Sequence, residues 1–161
     1  MEAKPELDSL TIKIMFYQMV RAVHYLHMKG ICHRDIRPSN FLVDIKGRLC
    51  LTDFGSAKSI KSGEWSVFYL GGRPYRAPEL HLGCKEYNET VDIWALACLI
   101  IELITGKQIF GGSGGIDCLL NIGRFLGTKE LKRTKGEAEL VKLMPLLPGK
   151  GLGELFKVHE P

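Results

Sequence analysis

Apolar residues recur at helical spacing from Leu10 to Met28, with Ile12, Phe16, Met19, Val23 and Leu26 near one face. Further apolar residues widen that stripe, which predicts a long helix largely packed against other protein. A polar stretch containing Pro5 precedes it, and Asp8 or Ser9 is placed to cap its start. Lys29-Gly30 ends it, with Gly30 suited to the left-handed C-terminal position. From Phe41 to Thr52, two short apolar runs flank a Lys46-Gly47 turn and predict a β-hairpin. Ser56 to Leu70 is polar and irregular, a length of loop that tends to be functional or mobile. Leu80 to Leu82 reads as a short helix. Val91 to Ile104 is the densest apolar region, polar only at Asp92 and Glu102. That pattern predicts a helix buried on every side, capped by Asn88 or Thr90 and stopped by Gly106. The glycine-rich stretch from Ile109 to Gly115 reads as a connection. Ile116 to Leu126 is helical again, through Leu119, Leu120, Ile122 and Phe125, and an irregular proline- and glycine-containing end follows.

At 161 residues the chain fits one domain, mainly α-helical with a small β component. The longest apolar run, Ile93 to Ile101, falls well short of the roughly 20 residues that a membrane span requires. The N-terminus carries no charged-then-apolar signal pattern. The five cysteines are odd in number and widely spaced, which predicts free thiols in a reducing compartment. A soluble cytoplasmic or nuclear protein is the expectation. A net charge of +4, with no basic block interleaved with aromatics, points to neither nucleic acid nor membrane as a partner. His24 and His27 lie three apart without a cysteine or carboxylate at ligand spacing, so they read as ordinary helix residues.

The chemistry concentrates at residues 33 to 55. His33-Arg34-Asp35-Ile36-Arg37-Pro38-Ser39-Asn40 precedes the hairpin, and Asp53-Phe54-Gly55 follows it. Asp-Phe-Gly alone is often only a turn, and His-Arg-Asp alone a common polar tripeptide. Together, a hairpin between them would bring Asn40 and Asp53 to one end. Two oxygen ligands from separate strand ends suit magnesium, which keeps waters and phosphate oxygens and takes few protein ligands. Asp35 would then stand nearby as a base.

This order and spacing match the protein-kinase signature of H-R-D-x-x-x-x-N followed by D-F-G. Ala77-Pro78-Glu79 and Asp92-Ile93-Trp94 follow in the expected order, so Leu10 to Thr128 resembles the larger, C-terminal lobe of a eukaryotic protein kinase. Gly55-Ser56-Ala57-Lys58 after Asp53-Phe54, Tyr75-Arg76 before Ala77, Gln108-Ile109-Phe110 and Leu126-Gly127-Thr128 resemble the glycogen synthase kinase family. The resemblance implies an α+β, mainly α-helical, protein-kinase-like fold with a short β-hairpin at the catalytic loop. It also implies an ATP-dependent serine/threonine kinase acting on protein hydroxyls, with ATP and magnesium as cofactors.

By the same resemblance, Asp35 accepts or orients the substrate hydroxyl proton, and Asn40 and Asp53 hold magnesium on the ATP phosphates, with Ser39 beside them. Arg37 stands where such kinases carry a lysine near the γ-phosphate; it keeps the charge and changes its shape. Tyr69 matches an activation-loop phosphotyrosine, with Arg73 and Arg76 as cationic partners. Arg34 and Lys58 match basic residues that receive a priming phosphate on the substrate. Asp92 is expected to cap the catalytic loop, with Trp94 packed beneath it.

The resemblance has edges. Residues 1–161 read as a partial kinase domain, a C-terminal lobe truncated at both ends with the N-terminal lobe absent. Ala97 replaces a usual glycine in a spot expected to be close-packed, and Gly71-Gly72 and Pro74 depart from the family's loop pattern. A catalytically inactive, kinase-like docking module is therefore the rival expectation.

Overall fold

The computed structural model describes residues 7–59, 71–134, 141–151 and 153. Its first element, α1, spans Ser9–Met28. Asp8 caps it: its carboxylate accepts Thr11 N at 2.9 Å and Thr11 Oγ1 at 2.7 Å. Gly30 follows at φ +68°, the left-handed position that frees the chain to turn. Met19, Val23 and Leu26 are buried, and α1 packs on α3, the helix Thr90–Thr105. The opposite face is bare, with Leu10, Ile14, Tyr17 and Met28 exposed among the described residues. The wide apolar stripe is thus buried along one side only. Even Phe16, expected on the packed face, is 41% exposed.

Two short antiparallel ladders follow. β1 (Ile31–Cys32) pairs with β4 (Lys58–Ser59), with Ile31 opposite Ser59 and Cys32 opposite Lys58. β2 (Phe41–Val43) pairs with β3 (Leu49–Leu51), placing Phe41 opposite Leu51 and Val43 opposite Leu49. The second ladder is the expected hairpin, turned at Gly47 with φ +72°. α1 fixes its position through Gln18, whose Nε2 donates to Gly47 O and whose Oε1 accepts Leu49 N, both at 2.9 Å.

α3 starts where the polar residues before it allow. Asn88 Oδ1 accepts Thr90 N at 3.1 Å and Thr90 Oγ1 at 2.5 Å, and Gly106 at φ +69° ends the helix. Val91, Asp92, Ala95, Leu96, Cys98 and Leu99 are buried. Ile93, Ala97 and Ile104 are exposed among the described residues, which corrects the expectation of burial all round. The described elements cover one face of α3 only. Ala97 therefore meets no close packing; it lines an open apolar hollow of about 490 Å³ with Trp94, Ile101, Phe110 and Phe125. Trp94 stacks on Phe110 with ring centroids 5.5 Å apart.

A four-residue helix, α2 (Pro78–His81), lies between the site loop and α3 and packs on α4 (Gly115–Leu126). α4 buries Cys118, Leu119 and Ile122 against the core, and α5 (Thr128–Leu131) closes this end with Thr128 and Leu131 buried. No helix among the described residues is long and apolar enough to cross a membrane.

Candidate active site

The segment from His33 to Asn40 lies over the N-terminal end of α3 and is held from beneath. Asp92, 1% exposed, accepts His33 N at 2.7 Å through Oδ2 and Arg34 N at 2.8 Å through Oδ1. His27 Nε2 donates to the same Oδ2 at 2.9 Å. Burial alone would raise the Asp92 pKa, but the bonds from His27, His33, Arg34 and Cys32 outweigh it and hold the carboxyl below its ordinary value of 3.8.

His33 is fully buried, and its ring braces the chain where it leaves the hairpin. Nε2 donates to Thr52 O at 3.0 Å, and the ring meets Phe54 edge-on at 5.1 Å. Thr52 N donates to Asn40 O at 2.8 Å, so Asn40 and Asp53 flank the hairpin's open end. Arg34 and Asp53 take left-handed φ values of 66° and 60°, rare for non-glycine residues. Such a residue carries about 1–3 kcal/mol of strain and persists where its surroundings over-determine it.

Between these two residues stands Asp35. Its Oδ2 accepts Asn40 Nδ2 at 2.9 Å, and its Oδ1 accepts Gly72 N at 3.1 Å. Asn40 Nδ2 also donates to Asp35 O at 2.8 Å, which fixes the amide with Oδ1 turned the other way. Among the described residues, that Oδ1 receives only a long 3.4 Å bond from Ser39 Oγ. Asp53 is exposed, and its Oδ1 accepts Gly55 N at 3.3 Å. Asn40 Oδ1 and the Asp53 carboxylate are hard oxygen donors with lone pairs to spare, the donor chemistry that magnesium takes. The residues fit that ion.

Arg37 borders a polar hollow of about 520 Å³ with Ser39, Tyr75, Glu102 and Gln108. Its Nε is buried with no hydrogen-bond partner among the described residues. Across the hollow, Tyr75 OH donates to Glu102 Oε2 at 2.5 Å and accepts Gln108 Nε2 at 3.2 Å. Burial, then the Glu102 bond, push the Tyr75 phenol up to about 12. Glu102 and Gln108 were not among the expected site residues: Gln108 stood out only as part of the family-like Gln108-Ile109-Phe110 run, and Tyr75 lies 27 and 33 residues away from them.

Arg34 and Arg76 border the same hollow as Asp35, and Arg73 borders that of Arg37. Arg34 donates through Nε to Ser56 O at 2.6 Å and through Nη1 to Tyr87 OH at 3.1 Å. Lys58 sits on β4, two residues past Ser56. Arg73 is exposed and donates to Ser113 O at 3.3 Å, whereas Arg76 is buried and donates to Gly71 O at 3.1 Å. Tyr69 lies outside the described residues.

A carboxylate gripped from two sides thus stands beside a hairpin that leads into a second carboxylate, over a buried aspartate. Residues 1–139 match the protein kinase domain, and the chain belongs to the protein kinase family. It is 43% identical over 139 residues to the probable serine/threonine-protein kinase glkA of Dictyostelium discoideum, covering 86% of this chain and 28% of that protein. It is 44% identical over 133 residues to protein kinase gsk3 of Schizosaccharomyces pombe, covering 82% and 34%. For protein kinase gsk31 of the same yeast the figures are 46% over 126 residues, 78% and 33%. The chain spans about a third of the length of these curated relatives.

Proposed function

We propose that this chain carries the phosphoryl-transfer loop of an ATP-dependent serine/threonine protein kinase of the glycogen synthase kinase type. The observation that carries the reading is the two-sided grip on Asp35, by Asn40 Nδ2 and Gly72 N, beside the spare oxygens of Asn40 and Asp53. Asp35, so oriented, takes or directs the proton of the substrate hydroxyl. Asn40 and Asp53 would hold magnesium, which when bound with ATP would offset the charge developing on the transferred phosphoryl group. Arg37 adds positive charge beside the γ-phosphate. Its Nε has no hydrogen-bond partner among the described residues. The substrate is a protein, and Arg34 and Lys58 receive a priming phosphate on it. Arg73, the exposed member of its pair, meets Tyr69 when that residue is phosphorylated.

A transfer assay with magnesium-ATP and a generic phosphoacceptor protein tests this. Asp35→Asn and Asp53→Asn are each expected to lower turnover by about 100-fold or more. Unchanged phosphorylation in both variants overturns the mechanism. A docking module without transfer is the second reading, favoured by the bare apolar face of α1 at Leu10, Ile14 and Tyr17. No transfer and no thermal stabilisation by magnesium-ATP would select it.

A further inference from the structure

Gly72 has no backbone reason to be a glycine. Its φ of −65° and ψ of 129° lie in the extended region that other residues adopt freely. What it lacks is a side chain, and the space a side chain would need is already bordered closely. A Cβ there would stand 3.2 Å from Tyr75 Cδ2 and 3.7 Å from Arg37 Nη1. The Tyr75 ring has little freedom to retreat. It is 6% exposed, and its hydroxyl is tied to Glu102 at 2.5 Å and to Gln108 at 3.2 Å. The bare Cα therefore forms a wall that the Tyr75 ring and the Arg37 guanidinium share. Nε of Arg37 has no hydrogen-bond partner among the described residues, so the shape of such walls bears directly on where the planar fork lies.

We propose that Gly72 is a positioning residue for Arg37: its missing side chain leaves the space in which a guanidinium fork, rather than a slimmer ammonium, stands next to the backbone that grips Asp35. Arginine at 37 and glycine at 72, two separate departures in the sequence, then have one physical cause. The proposal rests on the reading of Arg37 as the cation beside the γ-phosphate. It is distinct from the grip on Asp35, which needs only the Gly72 N–H and is indifferent to residue 37.

A double-mutant cycle of Gly72→Ala and Arg37→Lys decides it, read first by denaturant unfolding of the unliganded chain. Gly72→Ala alone is expected to lower the folded-to-unfolded ratio about tenfold, through overpacking against Tyr75 and Arg37. In the Arg37→Lys background the same substitution should cost less than about threefold, since Tyr75 can then move into the space the fork vacates. By nitrogen NMR, the Arg37 Nε proton is expected to exchange with water about tenfold faster in Gly72→Ala, with the exposed Arg124 side chain unchanged. In the transfer assay Gly72→Ala should lower kcat about tenfold, with KM for the acceptor within about twofold, and this loss should shrink below about threefold in the Arg37→Lys background. Equal costs in the two backgrounds, which a loosened Asp35 grip would produce, overturn the pairing, as does unchanged exchange at Arg37 Nε. If Gly72→Ala does not fold, the double variant decides: a folded chain supports the pairing and an unfolded one overturns it. Should the unsubstituted chain transfer no phosphate, the placing of Arg37 beside a γ-phosphate fails, while unfolding and exchange still judge the pairing itself.

Discussion

A single buried carboxylate carries much of the site's geometry, and its protonation has a predictable cost. Asp92 is depressed below 3.8 in the folded chain, so its contribution to stability is fully present above the unfolded carboxylate value. The contribution is lost as pH falls through the lower folded value. Denaturant midpoints measured from pH 6 down to pH 3 should therefore drop more steeply for the unsubstituted chain than for Asp92→Asn. At neutral pH that variant should lose about 3–5 kcal/mol, because the loop amides and His27 then face a neutral amide in a buried spot. The sequence showed where Asp35, Asn40 and Asp53 fall, since their spacing is local. It did not show His27 with Asp92, because that pair is 65 residues apart and no periodicity links them. The Tyr75–Glu102 bond was hidden for the same reason.

Among the elements, the long periodic ones were legible and the two-residue ones were not. α1, the β2–β3 hairpin and α4 follow directly from apolar spacing and turn residues. The ladder between β1 and β4 does not, since Lys58–Ser59 has no apolar alternation and gains strand geometry only from its partner. The extent of α3 was legible and its burial was not, because a sequence that is apolar all round does not state which faces find neighbours. The segment at Gly71 and Gly72 shows how a departure from a family pattern acquires a physical reason. Gly71 sits at φ +75°, where an added Cβ would stand 2.9 Å from Arg34 O, and its neighbour Gly72 grips Asp35. Gly71→Ala is expected to cost about 1–3 kcal/mol through strain and overpacking. It should also lower transfer by loosening that grip, which parallel thermal melts and the kinase assay would register. Wild-type melting and turnover in that variant would remove this role from Gly71.

For the molecule as a whole, the reading of function makes a binding prediction that needs no substrate. Magnesium-ATP at about 100 times its dissociation constant should add about 2.7 kcal/mol to stability, seen as a raised melting temperature. Asp53→Asn should remove most of that gain. The cysteines offer a separate handle. All five are free, and Cys50 on β3 is the exposed one, whereas Cys32, Cys84, Cys98 and Cys118 are buried. Burial also pushes the Cys98 thiol up to about 12 and raises those of Cys32 and Cys118, so these supply little thiolate at neutral pH. A maleimide dye under native conditions should consequently attach once, at Cys50, as peptide mapping would verify. Three residues before Asp53, that dye would make the hairpin its own fluorescent reporter of nucleotide arrival, with no engineered cysteine required.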